Sequence, residues 1–218
     1  MTARFPIAIA AVLLSLFSVA GAGLVSFTHL ATADRIAQNE RQALLERLAV
    51  LVPAERVTND MAADTLLVSD RERLGADRTT VYRARAGDSP VALILTAVVP
   101  DGYAGPINLL VAVLADGTLG GVRVVSHKET PGLGDKIEEQ RTDWILGFAG
   151  KSLASPEPAR WKVKRDGGDF DQFTGATVTP RAIVKAVKNT LLYVKDKGSA
   201  LYAPADSVQA RALLGSTG

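Results

Sequence analysis

Two short stretches hold the residues of this chain whose types and spacing could do chemistry. They are Ser126-His127-Lys128-Glu129-Thr130-Pro131-Gly132-Leu133-Gly134-Asp135 and Asp171-Gln172-Phe173-Thr174-Gly175-Ala176-Thr177-Val178-Thr179-Pro180. In the first, Pro131, Gly132 and Gly134 impose a tight backbone path that can approach a planar ligand and aim N–H groups at it. Taken alone, it also reads as an ordinary strand-to-helix connector leading into Lys136–Gln140. In the second, Asp169 and Asp171 precede small and hydroxyl residues that feed into the start of a predicted helix. Oriented N–H groups and the helix dipole favour an anion there. A hydroxyl at Thr177 therefore stands where a phosphate would be held, and Gly175 and Ala176 keep bulk away from it. Simple capping by Thr179 would explain the helix start but gives Thr174 and Thr177 no role. By average usage, a Ser/Thr-Gly-Ala-Thr string occurs by chance in on the order of one chain in a hundred of this length.

Composition removes most other chemistries. The 218 residues include no cysteine, which excludes disulfides, iron–sulfur clusters, thiolate zinc sites and a lipidated N-terminal Cys. His29 and His127 are the two histidines, which argues against a multi-histidine metal centre or a bis-histidine haem. Electron transfer, if this chain performs it, must then use a bound organic cofactor. The 25 basic and 23 acidic side chains leave a net charge of +2 with no dense Lys/Arg block, so nucleic acid is not an expected partner.

These stretches need elements to position them. Phe5 to Val25 carries no charge; as a helix rising about 1.5 Å per residue it would span ~31 Å, close to the hydrocarbon thickness of a bilayer. A cleaved signal peptide would use Arg4 as its n-region and Ala31-Thr32-Ala33 as its cleavage site. That site lies well beyond the apolar run, and the run's length and flanks favour a retained anchor. Arg4 on one flank, against Asp34 and Arg35 on the other, favours the N-terminus inside and residues 29–218 outside, in the periplasm of a Gram-negative bacterium. Ser18 and Ala22 would let a second helix approach closely, and a lipid-facing helix explains them equally well.

Ala33–Val52 has apolar residues at helical spacing and is stopped by Pro53, which predicts an amphipathic stalk. Residues 54–78 carry no clear pattern. Thr80–Ala84, Val91–Val99, Ile107–Ala115 and Leu119–Val125 read as strands separated by turns at Gly87, Asp101-Gly102 and Asp116-Gly117. Pro180–Val194 has Ile183, Val184, Val187, Leu191 and Val194 on one face and reads as a helix packed on the sheet, with Thr179 as N-cap and Pro180 at the first helical position. The expected class is α+β, with a mainly antiparallel sheet, packed helices and one N-terminal transmembrane helix. The expected divisions are an anchor at 1–28, a stalk at 29–53, a domain at 54–202 and a tail at 203–218.

Asp171-x-x-Thr174-Gly175-Ala176-Thr177 resembles the flavinylation motif of FMN-binding domains, and His127-x-Glu129-Thr130-Pro131-Gly132-Leu133-Gly134 resembles the second hallmark of the same family. Both occur in the C subunit of the sodium-pumping NADH:quinone reductase and in the G subunit of the Rnf electron-transport complex. The short chain favours the latter. So do Asp135-Lys136, Asp166-Gly167-Gly168-Asp169-Phe170-Asp171, Thr179-Pro180-Arg181, Asp101-Gly102-Tyr103-x-Gly105 and the pair Trp144 and Phe148.

The resemblance implies FMN bonded covalently to Thr177 through its phosphate. Thr174, Gly175, Ala176 and Thr179 would line the phosphate and ribityl side, and Glu129, Thr130 and Leu133 would touch the flavin from the other loop. It implies Asp171 as a recognition residue for an FAD-dependent flavin transferase, with His127 holding the Glu129 loop in shape. Trp144 and Trp161 are read as core. The partners implied are membrane lipid and the other subunits of a bacterial inner-membrane complex that couples ferredoxin and NAD(H) to ion transport. The chain would be a relay in that complex with no substrate turnover of its own. The rival readings are the C subunit of the quinone reductase, a cofactor-free periplasmic binding or assembly module, and a hydrolase using Ser126 and His127. The last is weakened because adjacent strand residues point to opposite faces.

Overall fold

A computed structural model describes residues 4–203. The chain divides into two compact units, one ending at Leu45 and the other beginning at Glu46. A single helix, α1 (Arg4–Leu51), makes up the described part of the first unit and contributes its last turns to the second. The segments expected as anchor and stalk are consecutive parts of this helix. Leu13, Phe17, Leu24 and Phe27 are all exposed along it, and it is long and apolar enough to cross a membrane. Its hydroxyls stay within the helix: Ser15 donates to the Ala11 carbonyl, Thr28 to Leu24 and Thr32 to Thr28, each at 2.8 Å. Of these, Ser15 lies within the uncharged run, where a polar group out of water needs a partner inside the helix.

The second unit is built on a five-stranded antiparallel meander in the order β1 (Thr65–Val68), β2 (Thr79–Ala86), β3 (Ser89–Val99), β4 (Ile107–Leu114) and β5 (Leu119–Ser126). Hairpin turns are enough to join such strands. Strands β2 to β5 match the expected ones to within a few residues. Strand β1 is new: it lies in the segment without a clear pattern, pairs Leu66 with Val81, and forms one edge of the sheet. Between β1 and β2 a single helical turn, α2 (Arg71–Leu74), is capped by Asp70, whose carboxylate accepts from the Arg73 N–H.

Helix α3 (Val178–Leu201) covers one face of the sheet. Ile183, Val184, Val187 and Leu191 meet Ala97 and Val99 of β3 and Leu109, Val111 and Val113 of β4. This is the apolar stripe the sequence shows, but the helix begins two residues before Pro180 and runs seven past Val194. Proline is tolerated in the first turn, where its missing N–H would have no partner within the helix. The predicted helix over 136–140 is a single 3-10 turn, Gly134–Ile137. The proposed tail lies, apart from Ala203, outside the described residues.

Beyond β5 the chain runs through turns and short 3-10 segments held by aromatic rings. Phe148 is fully buried; its ring centroid lies 4.9 Å from that of Phe170 and 5.3 Å from that of Trp144. Trp144 in turn sits 5.2 Å from Phe173. Trp161 is buried and donates from Nε1 to the carbonyls of Ser152 and Pro156. Both tryptophans therefore serve packing. Trp144 also donates from Nε1 to the Asp171 carbonyl at 2.8 Å, which ties the aromatic cluster to the backbone just before Thr174. Phe148→Ala is expected to cost about 3–5 kcal/mol of stability, measured by chemical denaturation of the unit; a loss smaller than about 1 kcal/mol would show that the ring cluster does not hold this region.

Candidate functional site

Both chemically suggestive stretches fold into turns of the same design. In the first, the Thr130 carbonyl accepts from the N–H groups of Leu133 and Gly134, both at 3.1 Å. Pro131 occupies the second position and Gly132, with φ +79°, the third. In the second, the Phe173 carbonyl accepts from the Ala176 N–H at 3.2 Å, and Gly175 in the third position has φ +84°. A positive φ at that position suits glycine and is strained for other residues. The two turns meet: a Cβ on Gly175 would lie 3.5 Å from Leu133 Cδ2.

Glu129 fastens the turns together. Its side chain is buried, with 4% of the residue exposed. Oε2 accepts from Thr179 Oγ1 at 2.6 Å, and Oε1 accepts from the Ala104 N–H at 3.1 Å. One carboxylate thus joins the loop after β3, the loop after β5 and the first turn of α3. Gly134 leaves it room, since a Cβ there would stand 2.5 Å from Glu129 Oε2. His127 holds the same loop from behind. Its Nδ1 accepts from the Glu129 N–H at 3.0 Å, so its proton lies on Nε2, which donates to Glu138 Oε1 at 2.8 Å. Both ring nitrogens of His127 are thus engaged, and Ser126 Oγ meets Asn108 Nδ2 instead, so the two do not form the Ser–His pair of a hydrolase.

The turns enclose a cavity of about 350 Å³, at the lower end of the usual range for small-molecule sites. Glu129, Thr130, Leu133, Gly175, Ala176, Thr177 and Thr179 all line it. Thr174 is exposed in the turn and does not line it. Asp171 also lies away from it, exposed and paired with Lys164 at 2.6 Å. Tyr103, Gly134 and Val178 complete the wall. Tyr103 belongs to the Asp-Gly-Tyr-x-Gly string, and an aromatic between two glycines at a turn was the available signal.

Thr177 is the N-cap residue of α3, in place of the predicted Thr179. It makes no capping hydrogen bond, and among the described residues its hydroxyl has no partner. Thr179 is not the cap because the helix starts before it, at Val178; its hydroxyl instead donates to Glu129. The N–H groups of Val178 and Thr179 therefore remain uncapped at the cavity wall, where the helix dipole is positive. Arg181, one turn along, donates from Nε and Nη2 to Asp166 at 2.6 and 2.9 Å. That hydrogen-bonded pair holds the Asp166 carboxyl below its ordinary range and raises the Arg181 guanidinium. Among the described residues, no lysine or arginine lines the cavity. Uncapped N–H groups at the start of α3 together with apolar Leu133 and Tyr103 from the other loops fit a group with a phosphate at one end and a flat apolar ring at the other.

The part of the chain that carries the cavity belongs to a flavin-binding class of domain. The family model described as FMN-binding domain matches residues 102–192, and that described as RnfG N-terminal region matches residues 1–51. Relatives extend over nearly the whole chain. The G subunit of the ion-translocating oxidoreductase complex of Pseudoalteromonas atlantica is 44% identical over 91% of this chain and 93% of its own. The proteins of the same description from Vibrio atlanticus and Escherichia coli K12 are 47% identical (87% of this chain, 91% of theirs) and 49% identical (84% and 88%). The chain belongs to this family, the G subunits of ion-translocating oxidoreductase complexes.

Replacing Glu129 by Gln removes one of two acceptor oxygens while keeping the shape. This change is expected to destabilise the unit by about 1–3 kcal/mol, read from its denaturation midpoint. An unchanged midpoint would show that the carboxylate does not tie the three segments.

Proposed function

We propose that this protein is the electron-relay subunit of a membrane ion-translocating oxidoreductase complex and carries FMN esterified to Thr177. The observation that carries the attachment site is Thr177 itself, a cavity-lining hydroxyl without a capping role at the N-terminus of α3. A cavity whose described lining has no lysine or arginine, but has the Glu129 carboxylate in its wall, would hold a free phosphate weakly. A covalent bond removes that difficulty.

Attachment exchanges one bond for another. Thr177 Oγ1 bonds to the flavin-side phosphorus of FAD, a phosphorus–oxygen bond of the diphosphate breaks and AMP leaves. The hydroxyl proton passes to a base of the transferase. Gly175 and Ala176 keep the approach to the hydroxyl open. Exposed Asp171 lies outside the cavity, where a transferase can read it without disturbing the wall.

Bound FMN supplies one- and two-electron chemistry, and the protein supplies position and surroundings. Glu129, through Thr179 and Ala104, sets the wall. Leu133 and Thr130 would meet the ring from the first turn. Helix α1 anchors the chain as a single-pass membrane protein, with the charge bias at its flanks favouring a periplasmic domain. The neighbours are the other subunits of the complex, where ferredoxin and NAD(H) would react, and membrane lipid.

Protein made together with the transferase is expected to gain the mass of FMN less one water and to fluoresce in a denaturing gel. Thr177→Val is expected to lose both. Fluorescence that persists in Thr177→Val would overturn the site assignment.

A further inference from the structure

Among the aromatic residues of the second unit, Tyr103 stands apart. Phe148, Trp161, Phe170, Phe173 and Tyr193 are buried, and Tyr82, Trp144 and Tyr202 are half-buried, whereas Tyr103 is 73% exposed. Nothing about its backbone is loose. The next residue, Ala104, donates its N–H to the buried Glu129 carboxylate. The preceding Gly102 is packed so closely that a Cβ there would lie 2.2 Å from the Gly105 carbonyl oxygen and 3.0 Å from Glu129 Oε1. A large ring is thus carried on an anchored stretch of backbone at the edge of the cavity, with most of its surface left in water by the described residues. Leu133 and Val178, also exposed apolar side chains, line the same cavity. Exposed apolar surface gathered around a preformed cavity marks a ligand face.

We propose that Tyr103 is a positioning residue that lays its ring against the isoalloxazine of the bound flavin and covers one part of it from solvent. The inference rests on FMN attachment at Thr177 and adds a third loop, the one after β3, to the two that motif matching singled out. Offset or edge contact between flat rings is favourable, and the Glu129 tie presets the loop, so little freedom is lost when the ring docks. Tyr103 is also the one oxidisable aromatic among the described residues lining the cavity. Trp144 is turned elsewhere, with Nε1 on the Asp171 carbonyl and its ring against Phe148 and Phe173.

That chemistry gives a readout independent of turnover. A phenol stacked on a photoexcited flavin lends it an electron and takes it back, so light emission is lost. The full-length chain, Tyr103→Phe and Tyr103→Leu would each be made with the transferase and compared for emission before and after denaturation, per flavin attached. Emission of the unaltered protein is expected to rise several-fold on denaturation. In both variants the native emission is expected to stand already near the denatured level, because neither side chain is an electron donor. A rise in Tyr103→Phe equal to that of the unaltered protein would overturn the role of Tyr103. Tyr103→Phe, nearly isosteric and at an exposed position, keeps the test valid should Tyr103→Leu fold poorly. An unaltered protein that carries no flavin mass would instead overturn the attachment on which the proposal rests.

Discussion

A carboxylate buried beside a ligand cavity is costly unless each oxygen is engaged. Glu129 meets that condition with an amide on one oxygen and a hydroxyl on the other, from residues far apart in the chain. Because those donors belong to different loops, satisfying the carboxylate also sets the spacing of the walls. The absent side chain of Gly134 gives the carboxylate its space, and the imidazole of His127 fixes the backbone that carries it. Remove the acid, and the first turn of α3 loses the contact that aligns it with the Pro-Gly turn.

Thr177 owes its availability to its own backbone. A residue at the helix start ordinarily caps with an extended backbone, but Thr177 is in the right-handed helical region and its hydroxyl makes no capping bond, while the Thr179 hydroxyl is held by Glu129. The aromatic cluster around Phe148 supports the same loop from below, through Trp144 and the Asp171 carbonyl. Acid, helix terminus and ring cluster thus approach one short loop from three sides. The geometry suits a reaction at a single hydroxyl whose product stays in place.

Much of this was legible in the residues. Asp116-Gly117 and the apolar runs on either side of it announced the hairpin of β4 and β5, and the stripe through Ile183, Val187 and Leu191 announced the helix that covers the sheet. The two glycine-bearing turns were recognisable as unusual because proline, glycine and threonine cluster there without an apolar period. What was not legible depended on distance in the chain. Strand β1 has four residues at a sheet edge, too few to show alternation, and owes its existence to pairing with β2. The helix start was misplaced because Pro180 reads as its first residue, whereas it is the third and its missing N–H costs nothing anywhere in the first turn. Tyr103 belonged to a recognisable string, but only the fold shows that its ring is left in solvent beside the cavity while the other described rings of the unit are wholly or partly covered.

The account centres on the oxygen of Thr177 as the point where the cofactor joins the chain. Trypsin cleaves after Arg165 and Arg181 and so releases a peptide, Asp166–Arg181, that contains Thr174, Thr177 and Thr179 together. Fragmenting this peptide from protein matured with its transferase tests the claim most directly. The flavin phosphate should appear on the fragment ions that include Thr177 and be absent from those that end before it or begin after it. A modification on Thr174 or Thr179, or a peptide without any, would contradict the account.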